Sequence, residues 1–417
     1  MAGALLLTSA PAQALPEFRQ QTIDTGTRHL PTVVNDHGWV AGPHMVHSGY
    51  YWDAFGIVSS SQFMPLGMDP IIYGFDSLGN YAAYDPSNQY RGVYGSVYST
   101  PSTFNACGPA SLPMGLSETG FAVGYGPCNS NATAFIWDTL TDQSVPILGL
   151  NSPDSALNDI SPEGQYAVGW GGQLQSQHGE PPNYYSIGFH GKYFYGEGSA
   201  TTAFRYDLDS QLLEPLSSAI IGVPGGASVV STTALGTNDD GAVVGYVTFQ
   251  SGQHNDELPV LWPNPSVGYV LPTAGVINQA DGCRANAING DWQVVGSCFR
   301  ASNGMPTEEA FIWDPARGTR VLSDVTPGSN DTYYEATDIN ERGQITVGLH
   351  VPNFVDPGAA LLSPLSMSWG SCVSGASCEM MHENQCQGHS GSFAANLDCS
   401  MRAVEYQSQL EHAPKWP

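Results

Sequence analysis

The densest grouping of chemically capable side chains lies between Gly169 and Ala203: Trp170, Tyr184, Tyr185, Phe189, His190, Tyr193, Phe194 and Tyr195, with Arg205 just beyond. Exposed rings of this kind stack on the apolar faces of sugars, while His178, His190 and Lys192 would supply hydrogen bonds. Trp170, Tyr184, Tyr185, His190, Tyr193 and Tyr195 are therefore candidate ligand-binding residues. The same stretch holds a base, an acid and a cation: His190 and Tyr193 to move a proton, and Arg205 to neutralise a uronate, as a lyase for acidic polysaccharides requires. Packing competes with both readings, because clustered rings serve cores and assembly contacts more often than small-molecule sites. Packing or assembly is preferred here.

Other chemistries leave weaker traces. The sequence contains no Gly-x-Ser-x-Gly nucleophile elbow, no Gly-Lys-Ser/Thr phosphate loop and no His-Glu-x-x-His pair. A glycosidase needs two carboxylates, and the pattern does not single out a pair among 38 acidic residues. The eight cysteines form local groups: Cys107 with Cys128, Cys283 with Cys298, and Cys372, Cys378, Cys386 and Cys399 near the end. Such grouping predicts disulfides and an oxidising compartment, with three connectivities open for the last four. A zinc site from the last four with His382 and His389 is the alternative, but the spacings match no familiar zinc pattern. His44 and His47 would face opposite ways on a strand, so they are read as an exposed pair rather than metal ligands. Turns such as Asn238-Asp239-Asp240-Gly241 and Asp338-Ile339-Asn340-Glu341 offer hard oxygens, which makes calcium a more reasonable guest than zinc. Turn chemistry alone explains them, and no cofactor is expected.

The elements that must position these groups come from a repeat. A phrase of the form Ala-x-Asx-x-x-Gly-x-x-Val-Val-Gly, followed by Ala-Phe-Ile-Trp-Asp, recurs along the chain. Clear copies run from Ala156 through Gly169 to Phe204, from Ala234 through Gly245 to Trp262, and from Ala285 through Gly296 to Asp314. A fourth runs from Gly120 to Asp138, and worn copies begin near Asn35, Asp76 and Ala336. A period of roughly 40 to 50 residues marks a supersecondary unit that buries its faces against its neighbours. Asx-x-x-Gly is a turn, and the flanking β-branched and aromatic runs are strands. Apolar runs at Val145–Leu148, Leu212–Leu216, Tyr269–Leu271 and Arg320–Leu322 close most units. The expectation is an all-β, seven-bladed β-propeller, with six to eight blades admitted, and a small disulfide-rich C-terminal tail.

These residues resemble the HAF-repeat proteins, a loosely defined group of bacterial extracellular proteins, over about residues 30 to 365. The resemblance implies a secreted propeller and supplies no catalytic residue. Domains are expected at 1–14 (the remnant of an export signal, ending in Ala12-Gln13-Ala14), 15–365 (the propeller) and 366–417 (the cysteine-rich appendage). Thirty-eight acidic against 12 basic residues give a net charge of −26. Such a surface repels phosphate backbones, so nucleic acid is not expected as a partner. No run reaches the length of a membrane span. The sequence thus points to a secreted or surface-exposed structural, assembly or binding module whose partners are other copies, extracellular proteins or glycans. A neutral-glycan-binding protein and a polysaccharide lyase or glycoside hydrolase remain the alternatives.

Overall fold

The computed structural model describes residues 17–23, 28–29, 32–46, 51–56, 64–65, 71–85, 91–96, 99–104, 106, 111–128, 132–149, 154–172, 201–225, 227–251, 254–273, 282–302, 305–326, 332–350, 358–365, 369–374, 377–382 and 392–395. Among the described residues every regular element is a strand. They form antiparallel meanders in which the strand nearest the axis comes first in sequence. The first strands are Val33–Val34, Ile71–Phe75, Leu112–Leu116, Asp154–Ile160, Ser228–Thr237, Gly282–Ile288 and Thr332–Ile339, one for each of seven blades counted among the described residues. Blades five and six share one sheet only because Glu257 pairs with Gly282 in parallel.

Each first strand packs against the neighbouring blades, and the succession returns from blade seven to blade one. The chain is therefore a closed β-propeller. Its last blade borrows a strand: Phe18–Ile23 pairs antiparallel with Gly358–Pro364 and completes blade seven from the other end of the chain. Phe18 enters the core between blades six and seven, beside Leu322, Val325 and Tyr333. Ile23 joins Val34, Val40, Ala359 and Leu361 between blades seven and one. One strand thus seals two seams. Three further strands, Trp369–Ser374, Ser377–His382 and Ser392–Ala395, form a separate small sheet carrying Cys372 and Cys378 on adjacent strands.

Every blade is covered on both faces, which explains why the repeat reads as an unbroken apolar run rather than an alternation. In Ala134-Phe135-Ile136-Trp137, Ala134 and Ile136 face blade four, while Phe135 and Trp137 face blade two. The glycine of Val-Val-Gly has a different cause. The first strands of blades two to seven each carry a bulge, at Leu157/Asp159 and Ala234/Gly236 for example, that pushes a carbonyl toward the second strand. A Cβ at Gly169 would lie 1.9 Å from the Ala156 oxygen, and one at Gly245 would lie 2.0 Å from the Thr233 oxygen. No side chain fits in that gap.

Gly245→Ala should therefore destabilise the ring by about 1–3 kcal/mol, read as a lowered midpoint in thermal unfolding; an unchanged midpoint would mean the bulge yields freely. Phe18→Ala should cost about 3–5 kcal/mol, an effect far larger than a short edge strand would give if it merely lay on the surface.

Candidate functional site at the channel mouth

The seven first strands surround a cavity of about 90 Å³, open at the end where each first strand turns into the second. Residues from every blade line it, including Asp36, Tyr73, Glu118, Asp159, Thr237, Ile288, Asp338 and Glu341. The described lining contains no Lys, Arg or His.

The Asx turns make this mouth. Their leading residues are Asn35, Asp76, Ser117, Ser161, Asn238, Asn289 and Asn340, and in all seven the amide three residues later donates to the leading residue's carbonyl at 2.8–3.2 Å. Six of those later residues are glycines with φ between 71° and 89°; the seventh is Trp292 at 60°. The side-chain oxygen of the leading residue holds its own turn: Asn340 Oδ1 accepts from the Arg342 and Gln344 amides, and Asn35 Oδ1 from those of His37 and Trp39. The side-chain amide reaches the next blade. Asn238 Nδ2 donates to Asn289 O, Asn289 to Asn340 O, Asn340 to Asn35 O and Asn35 to Asp76 O, at 2.7–3.1 Å. These four bonds form a girdle that runs through the closing seam.

Carboxylates complete the girdle. Each of six accepts a main-chain N–H from an adjacent blade: Asp36 from Glu341, Glu118 from Ser77, Asp159 from Thr237, Asp239 from Glu163, Asp338 from Val34 and Glu341 from Gly290. The oxygens weighed above as calcium ligands are thus acceptors of N–H groups, Asp240 Oδ2 included, which takes Trp292 Nε1–H at 2.9 Å. Among the described residues no three His, Cys, Asp or Glu side chains are grouped to hold a metal. Burial raises the pKa of Glu118 against the opposing bonds from Ser77, and the charges of Asp76 and Asp36 add to the rise. Burial likewise raises Glu341, reinforced by Asp36, Asp239 and Asp291, and it raises Asp76 despite the bonds from Asn80.

The candidates from sequence fall in different places. Trp170 is 3% exposed and packs with Tyr73, Leu112, Met114, Tyr125 and Ala156, so its ring belongs to the interior. Arg205 lies in a seam: it pairs with Glu214 at 2.6 Å, donates to Gly241 O in blade five and sits 4.7 Å above the Tyr166 ring. Tyr184, Tyr185, His190, Tyr193 and Tyr195 lie outside the described residues, as do Cys107, Cys386 and Cys399. Cys283 and Cys298 stand opposite each other on the first two strands of blade six and are bonded. Cys128 is also disulfide-bonded. Of the six bridging carboxylates, Asp239, Asp338 and Glu341 lie in turns that the sequence marks as hard-oxygen sites, whereas Asp36, Glu118 and Asp159 are not singled out there, although Asn35-Asp36 and Ser117-Glu118 also put an acid directly after the leading residue of the turn.

Comparison with known proteins gives likeness of fold alone. No protein-family model matches the chain, and no curated protein matches its sequence. Among solved structures, the β-propeller domain of the Trilobed protease from Pyrococcus furiosus is 9% identical, with 88% of this chain and 86% of that one covered at a TM-score of 0.41. Acylaminoacyl peptidase of Pyrococcus horikoshii is 10% identical over 79% of this chain at a TM-score of 0.42, and the match spans about half, 52%, of the peptidase. A putative TolB from Agrobacterium tumefaciens is 11% identical, with 64% and 85% covered and a TM-score of 0.39.

A carboxyl whose folded pKa exceeds its unfolded value binds its proton more readily in the folded state, so folding is favoured as pH falls toward that pKa. Glu118, Glu341 and Asp76 should therefore make the ring more stable at about pH 5 than at about pH 8. Asp314 has the opposite sign. Burial pushes its pKa up, but the hydrogen bonds and charges of Arg320 and Arg317 hold it below the usual range, so its contribution is lost in stronger acid. Thermal midpoints should rise as pH falls from about 8 to about 5 and fall again in stronger acid, below about pH 4, and Glu341→Gln should flatten the rise.

Proposed function

We propose that the chain is a secreted or surface-exposed propeller of the HAF-repeat kind that acts without catalysis, as a structural, assembly or binding module. The observation that carries this reading is the use of six carboxylates in the turns and at the ends of the first strands, five of them lining the channel, each of which accepts a backbone N–H from a neighbouring blade. A hydrolytic pair must exchange protons with a substrate and a water. Carboxylates that tie blades together are committed to closing the ring. Arg205, the cation on which a lyase reading depended, is likewise committed to Glu214 and Gly241, which removes support from that alternative. Binding of neutral glycans remains the second reading.

Export is supported by the buried Cys283–Cys298 bond and by the bonded Cys128. The test is peptide mapping under non-reducing conditions on protein recovered from its native host. Cys107 should be found bonded to Cys128 and Cys283 to Cys298, with Cys372, Cys378, Cys386 and Cys399 paired among themselves. Free thiols at these positions would overturn the extracellular assignment.

A further inference from the structure

The sixth repeat breaks the turn rule. Asn289-Gly290-Asp291-Trp292 places an indole where the other six repeats have glycine, and Trp292 adopts φ 60° there. A bulky side chain in the left-handed region is strained, and such strain persists where its surroundings over-determine it, most often at sites of function. The surroundings here do so. The Trp292 amide closes the turn on Asn289 O at 3.1 Å, and its Nε1–H donates to Asp240 of blade five. The ring rests half-buried on the cluster of Ala242, Leu271 and Ile288. A second departure lies beside it. Trp313, paired with Val294 at the same end of the blade and packed on the same cluster, is also half-buried, whereas its counterparts Trp137 and Trp262 are 5% and 0% exposed.

Two partly exposed indoles at one end of one blade, with the exposed Asp240 and Asp291 near them, offer a flat apolar surface rimmed by acceptors. We propose that the turn end of blade six is a binding platform for a neutral sugar ring. Trp292 stacks on the apolar C–H face of a pyranose, Trp313 extends the platform, and the two carboxylates accept hydrogen bonds from hydroxyls. Uronates and sulfated sugars are repelled by those carboxylates. The inference rests on the binding-module reading above and names its ligand class.

The experiment is calorimetric titration of the full chain with maltotetraose, cellotetraose and β-1,4-galactotetraose, with oligogalacturonate and spermidine as acidic and cationic controls. Indole N–H resonances are followed in parallel, that of Trp292 being assigned by its loss in Trp292→Phe. At least one neutral probe should bind and shift the Trp292 resonance. Trp292→Gly, which relieves the backbone strain but gives up the ring's packing and its bond to Asp240, should weaken binding by about tenfold in protein that still unfolds cooperatively above the titration temperature. Asp291→Ala, on an exposed side chain, should weaken it by roughly threefold. The proposal is overturned if none of the neutral probes binds at about 10 mM, if only spermidine binds, or if Trp292→Gly binds within roughly twofold of the unaltered chain. Neutral-sugar binding untouched by Trp292→Gly would remove the platform and leave the binding-module reading standing; shortened products released from a probe would remove the non-catalytic reading instead.

Discussion

One hydrogen bond organises the ring: the side-chain amide of a turn asparagine donating to the backbone carbonyl of the equivalent residue one blade on. Sheets arranged about an axis share no ladder hydrogen bonds at their inner ends, so their heights and angles need another constraint. Asparagine supplies it because its oxygen holds its own turn while its nitrogen grips the neighbour, as Asn340 does toward Asn35. Each such bond contributes only about 1 kcal/mol net, but a buried carbonyl left without it would cost more. In the arc where the leading residue is Asp76, Ser117 or Ser161 the task passes to other groups: Glu118 takes the Ser77 amide, and Asn158 and Asp159 reach Ala234 O and the Thr237 amide.

The scarce cations are placed by the same logic. Arg205 joins blade four to Gly241 of blade five, and Arg284 joins blade six to Glu257 of blade five while lying over the rings of Tyr246 and Phe299. Arg317 and Arg320 tie blade six to Glu17, just ahead of the borrowed strand. In a chain with 12 basic residues and a net charge of −26, these arginines sit at seams rather than on a steering surface. The acidity of the exterior and the polarity of the interior joints are separate matters, and only the first is visible in composition.

Much of the architecture was legible because the repeated phrase fixes strand, turn and strand in one short span. The Ala-Phe-Ile-Trp runs were readable as strands, and the grouping of Cys283 with Cys298 about one hairpin pointed to the bond that joins them. Other features left no trace in the pattern. Arg19-Gln20-Gln21-Thr22 looks like a polar leader, because an outermost strand has one partner and needs few apolar residues. The glycine of Val-Val-Gly carries no sign of the carbonyl opposite it, since a bulge belongs to the partner strand. Trp170 invited a surface reading through its aromatic neighbours in sequence, yet the strand it belongs to places it inside. The turn acids read as loop polarity because their acceptors' partners lie a blade away, some 40 to 300 residues distant in the chain.

The borrowed strand has a consequence for how the molecule is made. Residues 18–23 are synthesised long before their partner, residues 358–364, and wait while the six blades between them are made. Until then the first and last sectors have nothing to lock them, and an arc of stacked sheets with two raw ends is the unavoidable precursor. The run Arg19 to Thr22 is hydrophilic, and Phe18 and Ile23 at its tips are buried in seams that exist only when both flanking sectors stand in place. Completion is therefore a single late event that reports on the integrity of the entire circle.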